Sequence, residues 1–159
     1  GAVMGHESGP LPSYEDIFTS GKGFTDPGEA ARLISETECD WLSVAVGSIH
    51  GAVSGALKDK KKVAARLDIN HLKKLNDVCA VPLVLHGGSG VIKDYVMEGI
   101  ENGIAKVNVG TEIRQTYEQS IAADKDVAEA QQAVFDHVSE LIREYFGISG
   151  KYGMVTKEI

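Results

Sequence analysis

The sequence predicts an α/β protein with parallel strands, and three features of the chain favour this class. Two short apolar segments, residues 44–51 and 83–90, each lead to a histidine that is followed directly by glycine. A third apolar segment, residues 104–111, ends in small polar residues instead. Helical patterns separate these segments, and strands that alternate with helices are typical of parallel α/β folds. Such folds place their chemistry at the edge where the carboxyl ends of the strands meet.

The chain is predicted to begin with a loop and to continue into a helix and a strand. Residues 1–25 are rich in Gly, Pro and Ser and lack periodicity, which is typical of a long loop. Asp26 is suited to cap a helix that starts at Pro27. The apolar run from Trp41 to Val46 then predicts a buried strand of a parallel sheet.

The same helix–strand order repeats twice before the chain ends in two helices. Asp68 is suited to cap the next helix, and Pro82 opens the strand that leads to His86. The remaining predicted elements are a helix over residues 91–102, a strand over 104–109, a helix over 111–123 and a long helix over 127–146. The pattern alone therefore predicts three parallel strands, which make a thin sheet with exposed edges.

Composition and charge disfavour several classes of partner and site. The 159 residues carry a net charge of −7, which argues against a general nucleic-acid partner. No apolar run approaches the roughly 20 residues that cross a bilayer, so no membrane partner is expected. The lysines at position 58 and positions 60–62 fit either a solvated loop or the attraction of an anionic substrate.

The two cysteines and the start of the chain bear on the cellular compartment. Cys39 and Cys79 each precede a predicted strand, so buried free thiols and a cytoplasmic location are expected. The sequence shows no secretory leader pattern, and residues 1–4 are not expected to be a native start.

Two histidines at predicted strand ends are candidate metal ligands. Imidazole is the commonest protein ligand for a divalent transition metal, and a strand end is a rigid position for it. The spacing of His50 and His86 fits metal binding, but it also fits histidines that simply form hydrogen bonds in loops. A catalytic zinc usually takes three protein ligands, so two are too few. His6 is a weaker candidate, and His71 and His137 fall within predicted helices, where surface or hydrogen-bonded side chains are expected.

Two glycine-containing loops are candidates for a phosphate cradle. Residues 87–90, Gly-Gly-Ser-Gly, and residues 108–111, Asn-Val-Gly-Thr, each precede a predicted helix. Glycine lets backbone N–H groups approach an anion, and the helix N-terminus adds partial positive charge. Either loop alone fits a tight connection without a ligand. Two such loops on successive strands, next to two histidines, favour a phosphate site like the one that barrels form after strands 7 and 8.

Glu7 is a candidate proton donor or acceptor on the predicted opening loop. It is flanked by glycines at positions 5 and 9, and a carboxylate on a mobile loop can move in when substrate closes the site. A solvated loop glutamate is the alternative and the commoner case.

Four segments together resemble the class II, metal-dependent ketose-bisphosphate aldolases, which include fructose- and tagatose-bisphosphate enzymes. They are residues 5–9 (GHESG), 46–51 (VGSIHG), 85–90 (LHGGSG) and 106–112 (KVNVGTE). The resemblance covers nearly the whole chain and implies the second half of a TIM (β/α)8 barrel, with the predicted strands as strands 6, 7 and 8. A single partial-barrel domain over residues 1–159 is then expected, comprising an active-site loop (1–25), βα units (26–123) and a C-terminal helix with its tail (124–159).

The resemblance also implies the chemistry of a lyase. The implied reaction is reversible, zinc-dependent aldol cleavage of a ketose 1,6-bisphosphate to dihydroxyacetone phosphate and an aldehyde phosphate, and a monovalent cation beside the Zn²⁺ is compatible with it. His50 and His86 look like two zinc ligands, and Glu7 looks like the proton-transfer glutamate of the family's mobile loop. The implied phosphate and substrate contacts are Gly51, Gly87, Ser89, Asn108, Gly110 and Thr111.

The chain also departs from the family pattern in ways that leave alternatives open. The family's Asp–His pair, which supplies the third zinc ligand and a catalytic aspartate, belongs to the first half of the barrel and has no counterpart here. A polypeptide carrying that half is therefore an expected partner, together with a ketose bisphosphate and further copies of the chain in a homo-oligomer. Ser54 stands where many members have lysine, and Gly110 stands where fructose-type enzymes often have aspartate, which is more like the tagatose branch. The alternatives are a non-catalytic sugar-phosphate-binding or assembly fragment of a split barrel, and one half of a cleaved parent enzyme.

Overall fold

The computed structural model describes residues 13–48, 64–151 and 153. The strands in these ranges are β1 (Leu42–Val44), β2 (Leu83–Leu85) and β3 (Ile104–Val107). The helices are α1 (Tyr14–Ser20), α2 (Pro27–Thr37), α3 (Ile69–Val78), α4 (Lys93–Glu101), α5 (Thr111–Ala122) and α6 (Val127–Glu140), followed by a π-helical turn (Leu141–Tyr145). The chain divides into two units, residues 1–109 with the sheet and residues 110–159 with α5 and α6. Across the described ranges, no helix is both long enough and apolar enough to cross a membrane.

The three strands form one parallel sheet in the order β1-β2-β3, which confirms the predicted α/β class. Leu42 and Val44 pair with Leu83 and Leu85 of β2, and Leu85 pairs in turn with Val107 of β3. All three residues of β2 are buried, as expected for an apolar strand that is covered on both faces. The carboxyl ends of the strands therefore lie side by side, and the residues that follow them begin at one edge of the sheet.

β1 is shorter than the predicted strand because the chain changes partner after Val44. Thr25 donates its backbone N–H to the Ala45 carbonyl at 2.9 Å, and its Oγ1 accepts the Ala45 N–H at 2.8 Å. Trp41, the predicted start of the strand, lies outside β1 and is 55% exposed. The segment before α2 thus takes over the backbone groups that would otherwise extend the ladder.

The starts of α2 and α3 follow the predicted caps. The Asp26 side chain accepts the Glu29 N–H at 2.9 Å, and the Asp68 side chain accepts the His71 N–H at 2.9 Å. Both caps involve neighbouring residues only, so the sequence suffices to predict them. The helix after β2 starts later than predicted, at Lys93, because the turn that follows the strand extends through the preceding residues.

One helix lies inside the segment that the sequence predicts as a loop, so that prediction was wrong for these residues. Ser13 caps α1 by accepting the Asp16 N–H at 3.2 Å, and Gly21 ends it in the left-handed conformation. A helix of seven residues is too short to show a clear hydrophobic period, and short helices depend on tertiary packing for their stability. The contacts that stabilise α1 come from distant parts of the chain and are described below.

The core of the first unit lies between the sheet and the inner sides of α3 and α4. Leu72 and Leu75 of α3 are fully buried, together with Leu67 before it and Val96 of α4. Gly99 lets α4 approach closely, since an added Cβ there would lie 3.1 Å from a Leu67 methyl carbon. This packing fixes the position of β2, from which the candidate site begins.

The second unit is built from α5 and α6. Asp126 and Glu129 form a reciprocal capping box at the start of α6, with bonds of 2.8 and 3.0 Å. The sequence predicts one α-helix from residue 127 to 146, but the last turn is π-helical: Phe146 donates its N–H to the Leu141 carbonyl at 2.9 Å. The wider turn rotates the side chains that follow, a change that hydrophobic spacing alone does not reveal.

Candidate active site

His86 follows β2 directly and is the predicted metal ligand that lies within the described residues. Leu85 is fully buried and paired on both sides, which fixes the backbone from which His86 projects. Gly87 then adopts a φ of +72°, a conformation that favours glycine. The chain turns at this residue, so the half-buried imidazole lies at the carboxyl end of the strand.

The glycine-rich loop after β2 is tied to the end of β3. Asn108 donates its N–H to the Leu85 carbonyl at 2.8 Å, and Gly88 donates its N–H to the Asn108 carbonyl at 3.2 Å. A Cβ at position 88 would come within 2.7 Å of a Val107 methyl carbon, so only glycine permits this approach. The loop from β2 and the end of β3 therefore form one hydrogen-bonded unit.

The Asn108 side chain lies against the His86 ring. Its Nδ2 is 2.8 Å from Nε2 and 3.4 Å from Nδ1. These similar distances place the amide beside the ring, because an approach along the Nε2 lone pair would leave Nδ1 much farther away. The amide is thus a polar neighbour of both ring nitrogens and does not lie in the direction along which Nε2 would bind a metal ion.

Ser89 and Gly90 connect the same loop to the segment before α3. Ser89 is 6% exposed, and Gly90 has a φ of +114°. The Gly90 carbonyl accepts the Ala65 N–H at 2.8 Å, and the Ala65 carbonyl accepts the Ile92 N–H at 2.9 Å. Ala65 is therefore inserted between two backbone groups of the loop that follows β2.

The Tyr14 hydroxyl makes contacts that were not predicted from the sequence. It accepts the Arg66 N–H at 2.8 Å and lies 3.2 Å from both the Gly47 and the Arg66 carbonyl oxygens. Burial raises the pKa of Tyr14, so the hydroxyl stays protonated and can donate to these carbonyls. No local pattern could have predicted this contact, because Tyr14 and Arg66 are 52 positions apart.

Phe18 and Glu15 of α1 add contacts around the same point. The Arg66 guanidinium lies 4.3 Å from the centre of the Phe18 ring and 2.7 Å from the Glu15 carboxylate. Gly47 has a φ of +116°, and a Cβ there would lie 2.6 Å from the Arg66 carbonyl oxygen and 2.7 Å from Phe18. Three residues of α1 therefore hold Gly47, which follows β1, close to Arg66, which precedes α3.

Gly110 and Thr111 lie at the start of α5, in the second unit. Gly110 is the N-cap residue of this helix, and no side chain caps it. A Cβ at Gly110 would have no atom within 4 Å, so the surroundings of this N-terminus are open. Unpaired N–H groups in the first turn of a helix can bind an anion.

Three of the predicted site residues, Glu7, His50 and Gly51, lie outside the described residues. Within the described ranges, no cluster of three or more His, Cys, Asp and Glu side chains is placed to hold a metal ion. Ser48 comes two residues before His50 and is fully buried, and its Oγ has no hydrogen-bond partner among the described residues. A role for this buried hydroxyl was not predicted from the sequence, although its position between a strand and a His-Gly pair was a visible signal.

The structural roles expected for the other described histidines and the cysteines are met only in part. His71 Nε2 lies 2.7 Å from the Thr25 carbonyl oxygen, as expected for a hydrogen-bonded side chain. His137 Nε2 is buried 3.8 Å from the Glu112 carboxylate and has no hydrogen-bond partner among the described residues, so the expectation of a surface or hydrogen-bonded side chain was wrong there. Both cysteines are free, but Cys79 is buried whereas Cys39 is only half-buried. Burial raises the pKa of the Cys79 thiol, which disfavours a reactive thiolate there.

An open groove of about 380 Å³ lies beside Arg66. Phe18, Arg66 and Lys73 are among its lining residues, and His86 and Asn108 are not. The candidate site is therefore defined by the edge of the sheet and not by this groove.

A comparison with protein families gives a match over nearly the whole chain. The model of the class II fructose-bisphosphate aldolases matches residues 1–154. The chain belongs to this aldolase family. The matched range includes the His-Gly-Gly-Ser-Gly loop after β2 and the Asn-Val-Gly-Thr segment after β3.

Individual relatives of this aldolase-family chain are about twice its length. The chain is 33% identical over 156 residues to the uncharacterized protein YdjI of Escherichia coli K12, and the match covers 94% of this chain and 52% of YdjI. The crystal structure of the YdjI aldolase matches with a TM-score of 0.66 and 34% identity, covering 80% of this chain and 47% of that one. Fructose-bisphosphate aldolase from Campylobacter jejuni matches in fold, with a TM-score of 0.55, 14% identity and coverage of 78% and 45%. The chain therefore spans about half the length of the relatives that it matches.

Proposed function

We propose that this chain is the second half of a TIM barrel, with β1, β2 and β3 as barrel strands 6, 7 and 8. The parallel order of the strands and the half-length coverage of YdjI support this assignment. The polypeptide that carries the first half is its partner, either within one longer chain or as a separate molecule. We call the combination of the two halves the assembled enzyme, and we propose that it is a cytoplasmic homo-oligomer.

The proposed activity is the reversible aldol cleavage of a ketose 1,6-bisphosphate to dihydroxyacetone phosphate and an aldehyde phosphate. His86 and His50 are proposed as two zinc ligands, and the first half of the barrel supplies the third. Zinc, when bound, supplies a Lewis acid that polarises the substrate ketone. The donor set fits this ion, because imidazole is a common zinc ligand and the Asn108 amide lies beside the His86 ring and not along the ligating direction of Nε2.

The other proposed residues bind and orient the substrate. Backbone N–H groups and hydroxyls of the two loops hold the C1 phosphate, and these residues are Gly51, Gly87, Ser89, Gly110 and Thr111. Asn108 contacts the substrate near its carbonyl group, and Glu7 transfers a proton when the opening loop closes over the substrate. A phosphate fixed in this way holds the reacting carbonyl at a constant position relative to His86.

The observation that carries this proposal is the contact between His86 and Asn108 at the end of a buried parallel strand. The two side chains come from neighbouring strands and meet beside a glycine loop whose backbone is tied to both strands. An imidazole, a carboxamide and a glycine-rich loop at one strand edge match what a sugar phosphate and a metal ion require together.

Zinc titration tests the metal assignment and the need for a second half of the barrel. We expect the 159-residue chain alone to bind zinc weakly, since a catalytic site needs a third protein ligand. Addition of the first half should lower the dissociation constant for zinc by roughly 100-fold or more, measured by competition with a chelator. Equal affinity with and without that half would contradict the proposed division of ligands.

The same titration separates catalysis from the alternative function. A sheet of three strands, as the described residues form it, does not close into a barrel, which favours, as a second candidate, a non-catalytic fragment that binds sugar phosphates. Phosphate-sugar binding without zinc binding or aldol cleavage in the assembled enzyme would support this second candidate over the first.

Replacement of Ser89 by alanine tests the phosphate cradle. Loss of one hydrogen bond to a charged phosphate should raise KM for the bisphosphate roughly tenfold, with little change in zinc affinity. Ser120→Ala is the matched control, because Ser120 is also buried but its hydroxyl bonds to the Thr116 carbonyl within α5. A collapse of zinc occupancy in Ser89→Ala would show that Ser89 supports the metal site and not the phosphate.

A further inference from the structure

The two cysteines occupy similar places in the first unit, each at the end of a helix that leads into a strand. Cys39 follows Glu38, the C-cap of α2, and lies three residues before β1. Cys79 is the C-cap of α3 and lies four residues before β2. Both cysteines therefore lie at the amino edge of the sheet, opposite to the edge from which His86 projects.

The elements on both sides of the cysteines bring the two connections together. The helices α2 and α3 pack against each other, and the strands that follow them pair in parallel. Leu42 pairs with Leu83 and donates its N–H to the Pro82 carbonyl at 3.1 Å. Neighbouring strands lie about 4.8 Å apart, and the Cα atoms of a disulfide are roughly 4.4–6.8 Å apart. The two connections thus leave packed helices and enter paired strands, at a spacing that a disulfide can bridge.

An electrostatic effect of one cysteine on the other supports their proximity. Burial raises the pKa of the Cys79 thiol, and the charge of a Cys39 thiolate raises it further. Charges near a protein surface are largely screened beyond about 10 Å, so this effect requires the two sulfur atoms to be near each other. Both thiols are free in this structure.

We propose that Cys39 and Cys79 form a redox-modification site, at which a small-molecule disulfide of the glutathione type oxidises the two thiols to one intramolecular disulfide. Cys39 is half-buried and Cys79 is only 8% exposed, so Cys39 reacts first. Cys39 loses its proton to solvent, and its thiolate attacks one sulfur of oxidised glutathione. The glutathione S–S bond breaks, one glutathione thiolate leaves, and a mixed disulfide remains on Cys39.

Cys79 completes the reaction from inside the protein. Its thiol loses a proton to solvent, and the thiolate attacks the Cys39 sulfur and releases the second glutathione. Two protein thiols are thereby oxidised to a disulfide, and one oxidised glutathione is reduced to two molecules of glutathione. This second step should be slow, because burial disfavours the Cys79 thiolate.

The disulfide would join the ends of α2 and α3 without involving the proposed metal or phosphate residues. In a reducing compartment the thiols stay free, so the bond forms only when the surrounding glutathione becomes oxidised. The cross-link closes a loop from residue 39 to residue 79 and thereby restricts the unfolded chain. The oxidised protein should therefore unfold at a higher urea concentration than the reduced one. This proposal does not depend on the proposed function.

Equilibration of the full 159-residue chain with oxidised and reduced glutathione tests the proposal. We expect the intact mass to fall by the mass of two hydrogen atoms and the count of free thiols to fall from two to none. The effective concentration of the two thiols, measured against glutathione, should be roughly tenfold higher or more in native buffer than in denaturing urea. A higher urea midpoint for the oxidised chain is the matching result in stability.

Single serine variants test the order of the two steps. Cys79→Ser should keep a mixed disulfide between Cys39 and glutathione, seen as a gain in mass of one glutathione. In Cys39→Ser, the buried Cys79 should gain none. Glutathione on Cys79 in Cys39→Ser would overturn the stated order of attack.

The wild-type measurements decide the proposal even where a serine at the buried position 79 prevents folding. A wild type that stops at the mixed disulfide, or that forms disulfide-linked dimers instead, would overturn it. An effective concentration in native buffer no higher than in urea would also overturn it, because the folded chain would then not bring the two thiols together.

Discussion

Replacement of His86 by alanine is expected to reduce aldol cleavage by the assembled enzyme about a thousandfold or more. The imidazole lies at the end of a buried strand, and the adjacent Asn108 amide and glycine loop cannot supply a nitrogen ligand in its place. The rate of dihydroxyacetone phosphate formation and the zinc content of the purified protein measure the two consequences separately.

A second histidine on the same chain provides the control for this experiment. His137 lies in α6 and is not among the proposed metal or substrate ligands, so His137→Ala should keep both zinc and most of the activity. A His86→Ala enzyme that retains a rate near that of the wild type would remove His86 from the metal site. Loss of zinc without loss of activity would show instead that the ion has no part in the reaction.

Replacement of Gly47 by alanine should lower the free energy of unfolding by about 3 kcal/mol or more. The new Cβ would lie 2.6 Å from the Arg66 carbonyl oxygen, and the φ of +116° is strained for any residue except glycine. Both effects act at one position, and the Arg66 backbone is held by Tyr14, so it cannot easily move away. Urea denaturation followed by circular dichroism measures the change.

Gly110→Ala is the stability control for this substitution. Gly110 has a φ of −142° and no atom within 4 Å of an added Cβ, so the cost should stay below about 1 kcal/mol. Equal destabilisation by the two substitutions would mean that the close approach at Gly47 is relieved by small shifts of α1. A Gly47→Ala protein as stable as the wild type would contradict the tight packing directly.

Local features of this fold were predictable from the sequence because neighbouring residues determine them. Asp26 and Asp68 cap their helices through residues three positions away, and both helices start where these caps predict. The apolar run before His86 predicts a buried parallel strand, and β2 is one. The position of the next loop at the edge of the sheet could also be predicted, since this loop comes directly after β2.

Contacts between distant parts of the chain account for what the sequence did not reveal. α1 was predicted as loop because its stabilising partners, Gly47 and Arg66, are far away in sequence. The contact between Asn108 and His86 depends on the register of β2 against β3, which no local pattern specifies. The π-helical turn keeps the apolar spacing of an α-helix, so its different hydrogen bonding is not visible in the sequence.

The position of β3 in the sheet has a consequence for how copies of the chain can associate. Among the described strands β3 pairs with β2 alone, and an unpaired strand edge can recruit any extended chain and so promote aggregation. Ala105 and Lys106 are exposed on this strand. A charged side chain on an edge strand disfavours pairing with a second copy of the same edge. The charge of Lys106 therefore disfavours pairing between two β3 edges, whereas a strand of different sequence can still pair there.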